Sequence, residues 1–154
     1  MISVRTVFAA ESPKWGTRKD GSHVLNNQFL LIVRADRDGV TMELTFTFRE
    51  GFRCDGLSVP WAFRWFLKSW DNKNALYNVA GSVHDWLYAT KGYSVLRREE
   101  CDDIFRGLLR ESGIGRFKAG CADKAVEWFA GGGKHWNNDS YGIKHLGHVT
   151  VRVG

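Results

Sequence analysis

The sequence lacks any apolar run long enough to span a membrane, and it contains no internal repeat or low-complexity segment. A spanning helix needs roughly 18 consecutive apolar residues, so no transmembrane segment is expected. Residues 1–8 alternate between residue types as in a strand and lack the apolar core of a secretion signal. We therefore expect a protein that is neither embedded in a membrane nor exported by its own leader.

Cysteine is scarce, with Cys54, Cys101 and Cys121 as its three occurrences. Their spacing does not match a metal site, and an odd number argues against a closed disulfide framework. These features are typical of a reducing compartment such as the cytoplasm.

No specific nucleic-acid motif is present, although 22 Lys and Arg residues outnumber 17 Asp and Glu residues and give a net charge of +5. Such a charge can favour a polyanionic partner or an anionic lipid surface. The basic residues are scattered among acidic ones, which favours a solvated basic surface instead.

Hydrophobic residues make up 44% of the 154 positions, which indicates one globular domain with a real core. Seven Trp and ten Phe residues are many for this length. They indicate either a tryptophan-rich core or an aromatic surface left for a partner, a ligand or a membrane interface.

The first third of the chain reads as β structure. Residues 27–35 and 40–49 are strand-like, and the Asp38-Gly39 pair between them is a hairpin turn signal. Residues 148–153 also alternate, and they predict a terminal strand that can join the N-terminal sheet.

Helical spacing of apolar residues predicts four helices, over residues 61–70, 74–90, 97–112 and 116–129. The fold class predicted is α+β, with an N-terminal antiparallel β-sheet that a C-terminal strand can join, packed on a bundle of about four helices. We expect a single domain over 1–154, mainly β over 1–54, mainly α over 55–133, and a loop with a terminal strand over 134–154.

His84, Asp85 and Asp102 are the most informative residues, because they place titratable groups on two adjacent predicted helices. At 100° per residue, His84 and Asp102 each flank the apolar stripe of their own helix, whereas Asp103 points to the opposite side. An antiparallel pair joined by residues 91–96 would let His84 meet Asp102. Such a carboxylate can orient an imidazole that takes a proton from water.

The run from Gly51 to Pro60, His84-Asp85-Trp86-Leu87-Tyr88, and Arg97 with Asp102 and Phe105 together resemble DUF1353, a phage and prophage family with a domain of unknown function. The resemblance covers about residues 45–112. It implies a phage-associated protein of the host cytoplasm or the virion, with other virion proteins as possible partners.

The His-Asp helix is also similar, more weakly, to the phospholipase A2 superfamily. That resemblance implies His84 as the base that activates water and Asp102 as its partner. Tyr88, four residues after His84, is expected to pack beside the dyad and to donate its hydroxyl to the dyad carboxylate. The resemblance further implies calcium as the cofactor, bound by Asp55, by Asp85 and by the carbonyls around Gly56 and Leu57. The bracketing disulfide cysteines and the glycine-rich calcium loop of those enzymes are absent from this sequence.

Two hypotheses follow from these residues. One is a metal-assisted hydrolase of ester or amide bonds, with a lipid or cell-envelope substrate. The other is a non-enzymatic virion, tail or assembly protein in which the same residues are structural, with Asp55 in an Asx turn, Asp85 in a cap or ion pair, and Asp102 beside Arg98 or Arg106. A protein that interacts with the host is a third possibility on which the sequence is silent.

Overall fold

The computed structural model describes residues 1–54, 70–115, 121, 124, 136, 139 and 142–154. These residues form two antiparallel sheets and a pair of α-helices. The strands are β1 (Ile2–Glu11), β2 (Trp15–Thr17), β3 (His23–Leu25), β4 (Phe29–Arg37), β5 (Val40–Phe48), β6 (Arg53–Cys54) and β7 (Gly147–Val153). The helices are α1 (Ala75–Ala89) and α2 (Arg98–Glu111), and a short 3₁₀ segment (Lys91–Ser94) lies between them.

The larger sheet has the strand order β1-β4-β5-β7. β4 and β5 form the predicted hairpin, with Phe29 opposite Phe48 and Arg37 opposite Val40. Its turn has positive φ at Asp38 and Gly39, as a two-residue turn matched to the twist of the strands requires. β7 pairs with β5, so the predicted addition of a C-terminal strand to the N-terminal sheet is confirmed.

The smaller sheet, β2-β3-β6, is built from strands of two or three residues. β6 pairs with β3 through Cys54 opposite His23 and Arg53 opposite Val24. This sheet ends beside α1 and thereby brings Cys54 to the helix that carries His84.

The two helices begin and end close to the residues predicted from the sequence. The Asn74 side chain caps α1 by accepting a hydrogen bond from the Tyr77 backbone at 3.1 Å. α2 is followed by Gly113, whose φ of +82° suits a residue just beyond a helix end. The Asn74 amide also donates to the Ser112 carbonyl at 2.9 Å, so the start of α1 meets the end of α2 and the pair is antiparallel.

The core lies between the inner face of the larger sheet and the helix pair. Two glycines allow the closest approaches: a Cβ at Gly107 of α2 would stand 2.5 Å from Cβ of Val4, and one at Gly147 of β7 would stand 2.5 Å from Cε2 of Trp86. α2 therefore packs on β1 and α1 packs near β7, at opposite edges of the sheet. Fully buried aromatic side chains fill the space between, among them Phe29, Phe46, Phe48, Phe52, Trp86 and Phe105.

The predicted fold class is wrong in its helical part. The described residues hold seven strands in two antiparallel sheets and two α-helices, so they are mostly β and form no four-helix bundle. The smaller sheet escaped prediction because strands of two or three residues are too short to show alternation. The helices predicted over 61–70 and 116–129 fall, apart from Trp70, Cys121 and Lys124, outside the described residues. In the described part, no helix is both long and apolar enough to cross a membrane.

Candidate functional site

A histidine-carboxylate pair lies where α1 and α2 face each other. The His84 Nε2 atom is 2.9 Å from Asp102 Oδ1, which confirms the hydrogen bond predicted between these residues. The His84 side chain is 8% exposed and that of Asp102 is 25% exposed, so the pair lies at the margin of the core with its carboxylate toward water. A partly desolvated pair of this kind holds the imidazole in one orientation.

Tyr88, one helical turn after His84, completes the cluster. Its hydroxyl donates to the same Asp102 Oδ1 atom at 2.8 Å, and its ring centroid is 4.3 Å from that of His84. Burial raises the pKa of Tyr88, and the hydrogen bond to Asp102 and the charge of that carboxylate raise it further. Tyr88 therefore remains a neutral donor that fixes the carboxylate, as predicted from its position.

Aromatic rings enclose the cluster on two sides. Phe105 of α2 lies 4.7 Å from the His84 ring, and Trp136 stands edge-on to Tyr88 at 5.1 Å. Apolar walls strengthen electrostatic interactions inside the cluster by lowering the local dielectric constant. Within the described residues, the Nδ1 atom of His84 has no hydrogen-bond partner, so this nitrogen is the one free to act on a further group.

Asp102 and Asp103 are neighbours with different roles. Asp103 Oδ2 accepts a hydrogen bond from the Ile2 backbone at 2.9 Å, and Arg106 lies 3.6 Å from its other oxygen. Asp103 therefore ties α2 to β1, while Asp102 faces α1. The sequence predicted that Asp103 points away from the helix pair, but it did not show that β1 packs on that side of α2.

The predicted calcium residues are only partly within the described chain. Asp85 lies there, half-buried, with Oδ2 3.8 Å from the Cys54 Sγ atom, which donates to it. Asp55, Gly56 and Leu57 lie outside the described residues. The described residues alone contain no group of three or more His, Cys, Asp or Glu side chains that could hold a metal ion.

Cys101 adjoins the dyad but is unsuited to nucleophilic attack. Burial raises the pKa of its thiol, and the charges of Asp102 and Glu100 raise it further. The thiolate is the reactive form of cysteine, so Cys101 stays an inert core residue. The arrangement can activate water, but the dyad itself contains no protein nucleophile.

Sequence reasoning missed a second polar cluster at the start of α2. Glu100 is buried and accepts from Arg37 Nη2 at 2.8 Å and from the Arg97 backbone at 2.9 Å. Burial raises the pKa of Glu100, but the Arg97 hydrogen bond and the positive charge of Arg37 outweigh it and leave the pKa lowered. A depression of about 420 Å³ opens beside this cluster. Because Glu100 already binds Arg37 and Arg97, we interpret the cluster as structural: it links β4 to the start of α2.

Trp136 was missed as a neighbour of the dyad, because it follows Tyr88 by 48 positions and no local periodicity connects the two. The contact between Cys54 and Asp85 was missed for the same reason. Each joins residues from different elements, so the signal exists only in the folded chain.

Comparison with known proteins assigns a family but no activity. The chain matches the family described as protein of unknown function (DUF1353) over residues 34–126, which include His84, Tyr88 and Asp102. No curated protein and no solved structure matches it. Because the match spans more than half of the sequence, the chain belongs to the DUF1353 family.

Proposed function

We propose that the protein is a phage-associated hydrolase in which His84 activates a water molecule and Asp102 orients His84. The observation that carries the proposal is the 2.9 Å contact between His84 Nε2 and Asp102 Oδ1, with the Tyr88 hydroxyl on the same oxygen. Asp102 of α2 thus bonds the imidazole of α1 directly, and Tyr88 of α1 holds Asp102 in place.

The chemistry proposed is general base catalysis. With Nε2 bonded to Asp102, Nδ1 is the nitrogen that would accept a proton from water, and the water oxygen would attack a carbonyl carbon. The Asp102 charge would then stabilise the imidazolium. Breakdown of the tetrahedral intermediate would return this proton to the leaving alcohol or amine.

Ester bonds, including those of lipids, and amide bonds are the substrates proposed. The helix pair with His84-Asp85 and a following Asp102 supports a likeness to phospholipase A2, and that likeness favours a lipid or cell-envelope substrate. The aromatic rings beside the dyad, Phe105 against His84 and Trp136 against Tyr88, support an apolar substrate of this kind. The location proposed for this activity is the cytoplasm of an infected host or the virion.

Calcium is the metal proposed for stabilising the developing oxyanion. Asp85 would supply one carboxylate. Asp55 would supply the second, and it follows Cys54, which contacts Asp85, in the sequence. Carbonyls of Gly56 and Leu57 and water would complete the six to eight oxygens that calcium prefers. Two carboxylates are few for this ion, so we expect weak binding.

Substitutions at the dyad test the base. On an ester or lipid substrate that the wild type hydrolyses, His84→Gln should lower the rate by roughly 10² to 10⁴. Asp102→Asn should also lower it, because the amide favours a wrong imidazole tautomer. Both variants should melt close to the wild type, since each side chain retains a hydrogen-bonding group.

Two matched controls accompany these variants. Asp103→Asn removes a carboxylate one position away, and His145→Gln removes an exposed histidine of the short segment before β7. Neither should change turnover. A wild type without detectable hydrolysis, combined with destabilised His84→Gln and Asp102→Asn proteins, would rule out the enzyme.

A calcium titration tests the metal. Calcium at 100 times its dissociation constant should stabilise the fold by about 2.7 kcal/mol, because it binds the folded chain alone. Asp85→Asn should abolish the shift, whereas Asp38→Asn in the exposed β4–β5 turn should preserve it. Equal melting of the wild type in calcium and in chelator would contradict the metal site.

A structural role for the same residues is the second candidate, and the burial of His84 favours it. A phage virion, tail or assembly protein could use the His84, Asp102 and Tyr88 bonds only to hold α1 against α2. In that case His84→Gln and Asp102→Asn would each cost about 1 to 3 kcal/mol of stability, because they leave a buried polar group poorly paired.

A further inference from the structure

Within the described residues, β7 forms one edge of the larger sheet, with the Tyr93 side chain against His148 near the start of the strand. Among the described strands it pairs with β5 alone. Its residues from Thr150 onward are exposed, including Val151 at 37% and Val153 at 65%. An edge strand presents unpaired backbone N–H and C=O groups that can bind another strand.

The hydrogen bonds to β5 show which groups of β7 point outward. The Gly154 N–H donates to the Thr41 carbonyl at 3.3 Å, and the Arg49 N–H donates to the Leu146 carbonyl at 2.8 Å. Both bonds fit the register that places Thr150 opposite Thr45. Because antiparallel ladders alternate, the even-numbered residues of β7 bond to β5 and the odd-numbered residues direct their N–H and C=O groups to the free edge.

This pattern is complementary to itself. If two copies of β7 pair antiparallel about a two-fold axis at Thr150, Val149 of one copy stands opposite Val151 of the other. Gly147 stands opposite Val153 in the same way, so every outward N–H and C=O group of the strand meets a partner. The register overlaps all seven residues, and any shift along the strand loses some of these bonds.

Side chains support the same register. On the inner face, exposed Val151 would pack on the second copy's Val149, and exposed Val153 would pack over its Gly147, where no Cβ is present above Trp86. The two exposed valines of each strand thus leave water, and apolar burial favours the pair.

The opposite edge of the sheet is protected. The pairing of β1 with β4 shifts register between Val4 and Thr6 and again between Ala9 and Glu11. Irregularities of this kind twist an edge away from further pairing. β7 pairs with β5 without a shift from Gly147 to Val153. The difference favours association through β7 and a closed dimer instead of a filament.

We propose that β7 is a homodimer interface, through which two copies of this chain form one continuous eight-stranded sheet. A seven-residue strand pair is small beside a standard interface of about 1,600 Å². The dimer should therefore dissociate on dilution.

Sedimentation of the full chain over a concentration series tests the proposal. The mass should rise from 17.5 kDa toward twice that value as concentration increases. Val151→Pro should keep the protein monomeric at all concentrations, because it removes an outward N–H without touching the bonds to β5. The control Val151→Thr keeps the N–H and the branched side chain and should still dimerise. A monomeric wild type throughout the series would overturn the proposal.

Cross-linking gives a test that does not depend on a proline variant folding. Thr150→Cys places the new thiols at the two-fold axis, in a non-hydrogen-bonded pair whose Cα atoms are about 4.5 Å apart, within disulfide range. Mild oxidation should convert it to a covalent dimer faster than the wild type or Thr6→Cys on exposed β1. Equal cross-linking of Thr150→Cys and Thr6→Cys would exclude β7 as the preferred interface.

Discussion

Two adjacent carboxylates, Asp102 and Asp103, show that one step along a helix is enough to give side chains different partners. Asp102 and Asp103 differ by 100° around α2, and this rotation alone sends one to His84 and the other to the Ile2 backbone. The sequence was sufficient to choose Asp102, because the angle between a residue and the apolar stripe of its own helix is a local property. The partner of Asp103 required knowledge of the strand packed on the far side.

The burial of Tyr77 should make the stability of the protein depend on pH in the alkaline range. Burial, followed by the negative charge of Asp71, raises its pKa from 10.0 to about 12. A raised folded-state pKa means that the neutral side chain contributes stability below pH 10, and this contribution is lost as pH rises through 12. It amounts to roughly 2 to 3 kcal/mol.

We expect Tyr77→Phe to show less loss of stability at alkaline pH than the wild type. Urea unfolding of both proteins, measured in steps from pH 8 to pH 11.5, gives the difference between their unfolding free energies. That difference should move in favour of Tyr77→Phe above pH 10. A difference independent of pH would show that the Tyr77 hydroxyl is not buried.

The elements with a clear local pattern could be predicted, and those without one could not. The bounds of α1 and α2 and the β4–β5 hairpin agree with the sequence within one or two residues, because capping, turn chemistry and periodicity are local. The short strands β2, β3 and β6 carry too little pattern to detect. The sequence therefore predicted a bundle of about four helices and did not predict the second sheet.

The connection between α1 and α2 is the element least accessible to sequence reasoning. Lys91, Gly92, Tyr93 and Ser94 all have positive φ, between 52° and 68°, and three of them are not glycine. Tertiary contacts hold this left-handed turn: the Tyr93 hydroxyl lies 2.7 Å from His148 Nδ1, and Gly92 is buried close to Leu96. The turn sets how α2 returns along α1, and so how Asp102 reaches His84.

Lys91→Gly should stabilise the protein, since the left-handed conformation costs a residue with a Cβ about 1 to 2 kcal/mol and glycine almost nothing. The larger entropy of glycine in the unfolded chain offsets part of this gain, so we expect a net stabilisation of about 0.5 to 1 kcal/mol. Thermal and urea unfolding measure it.

Lys73→Gly is the control for that prediction. Lys73 is also an exposed lysine in a turn, but its φ is not positive, so glycine there brings only the entropic cost. It should destabilise the protein slightly. If both glycine variants lose stability, the left-handed turn is not strained.

At the scale of the whole molecule, the candidate site depends on how one layer of helices sits on one sheet. The dyad could be predicted because both partners belong to neighbouring helices. The approach of Trp136 and the pairing of Cys54 with Asp85 could not, since they depend on the layer as a whole. Contacts at the two sheet edges fix that layer: Gly107 against Val4 on β1, and Gly147 against Trp86 beside β7.

Alanine substitutions at these two glycines test how tightly the helices pack on the sheet. Gly107→Ala would push a methyl group into the stiff Val4 side chain, and Gly147→Ala would push one into the fully buried Trp86 ring. Overpacking of this kind costs about 1 to 3 kcal/mol at each site, although alanine improves helix propensity at position 107. The sites share no partner, so the losses in the double variant should add within about 0.5 kcal/mol.

If sheet and helices form one cooperative unit, both single variants should lower the midpoint of a single urea transition, followed in parallel by tryptophan fluorescence and far-UV circular dichroism. Replacing Val4 by Ala in the Gly107→Ala background should recover part of the loss, because it vacates the space that the new methyl group needs. Two separate transitions in Gly147→Ala would instead show that β7 and α1 unfold before the rest. Unaltered stability in Gly107→Ala would show that α2 does not pack on β1 at this distance.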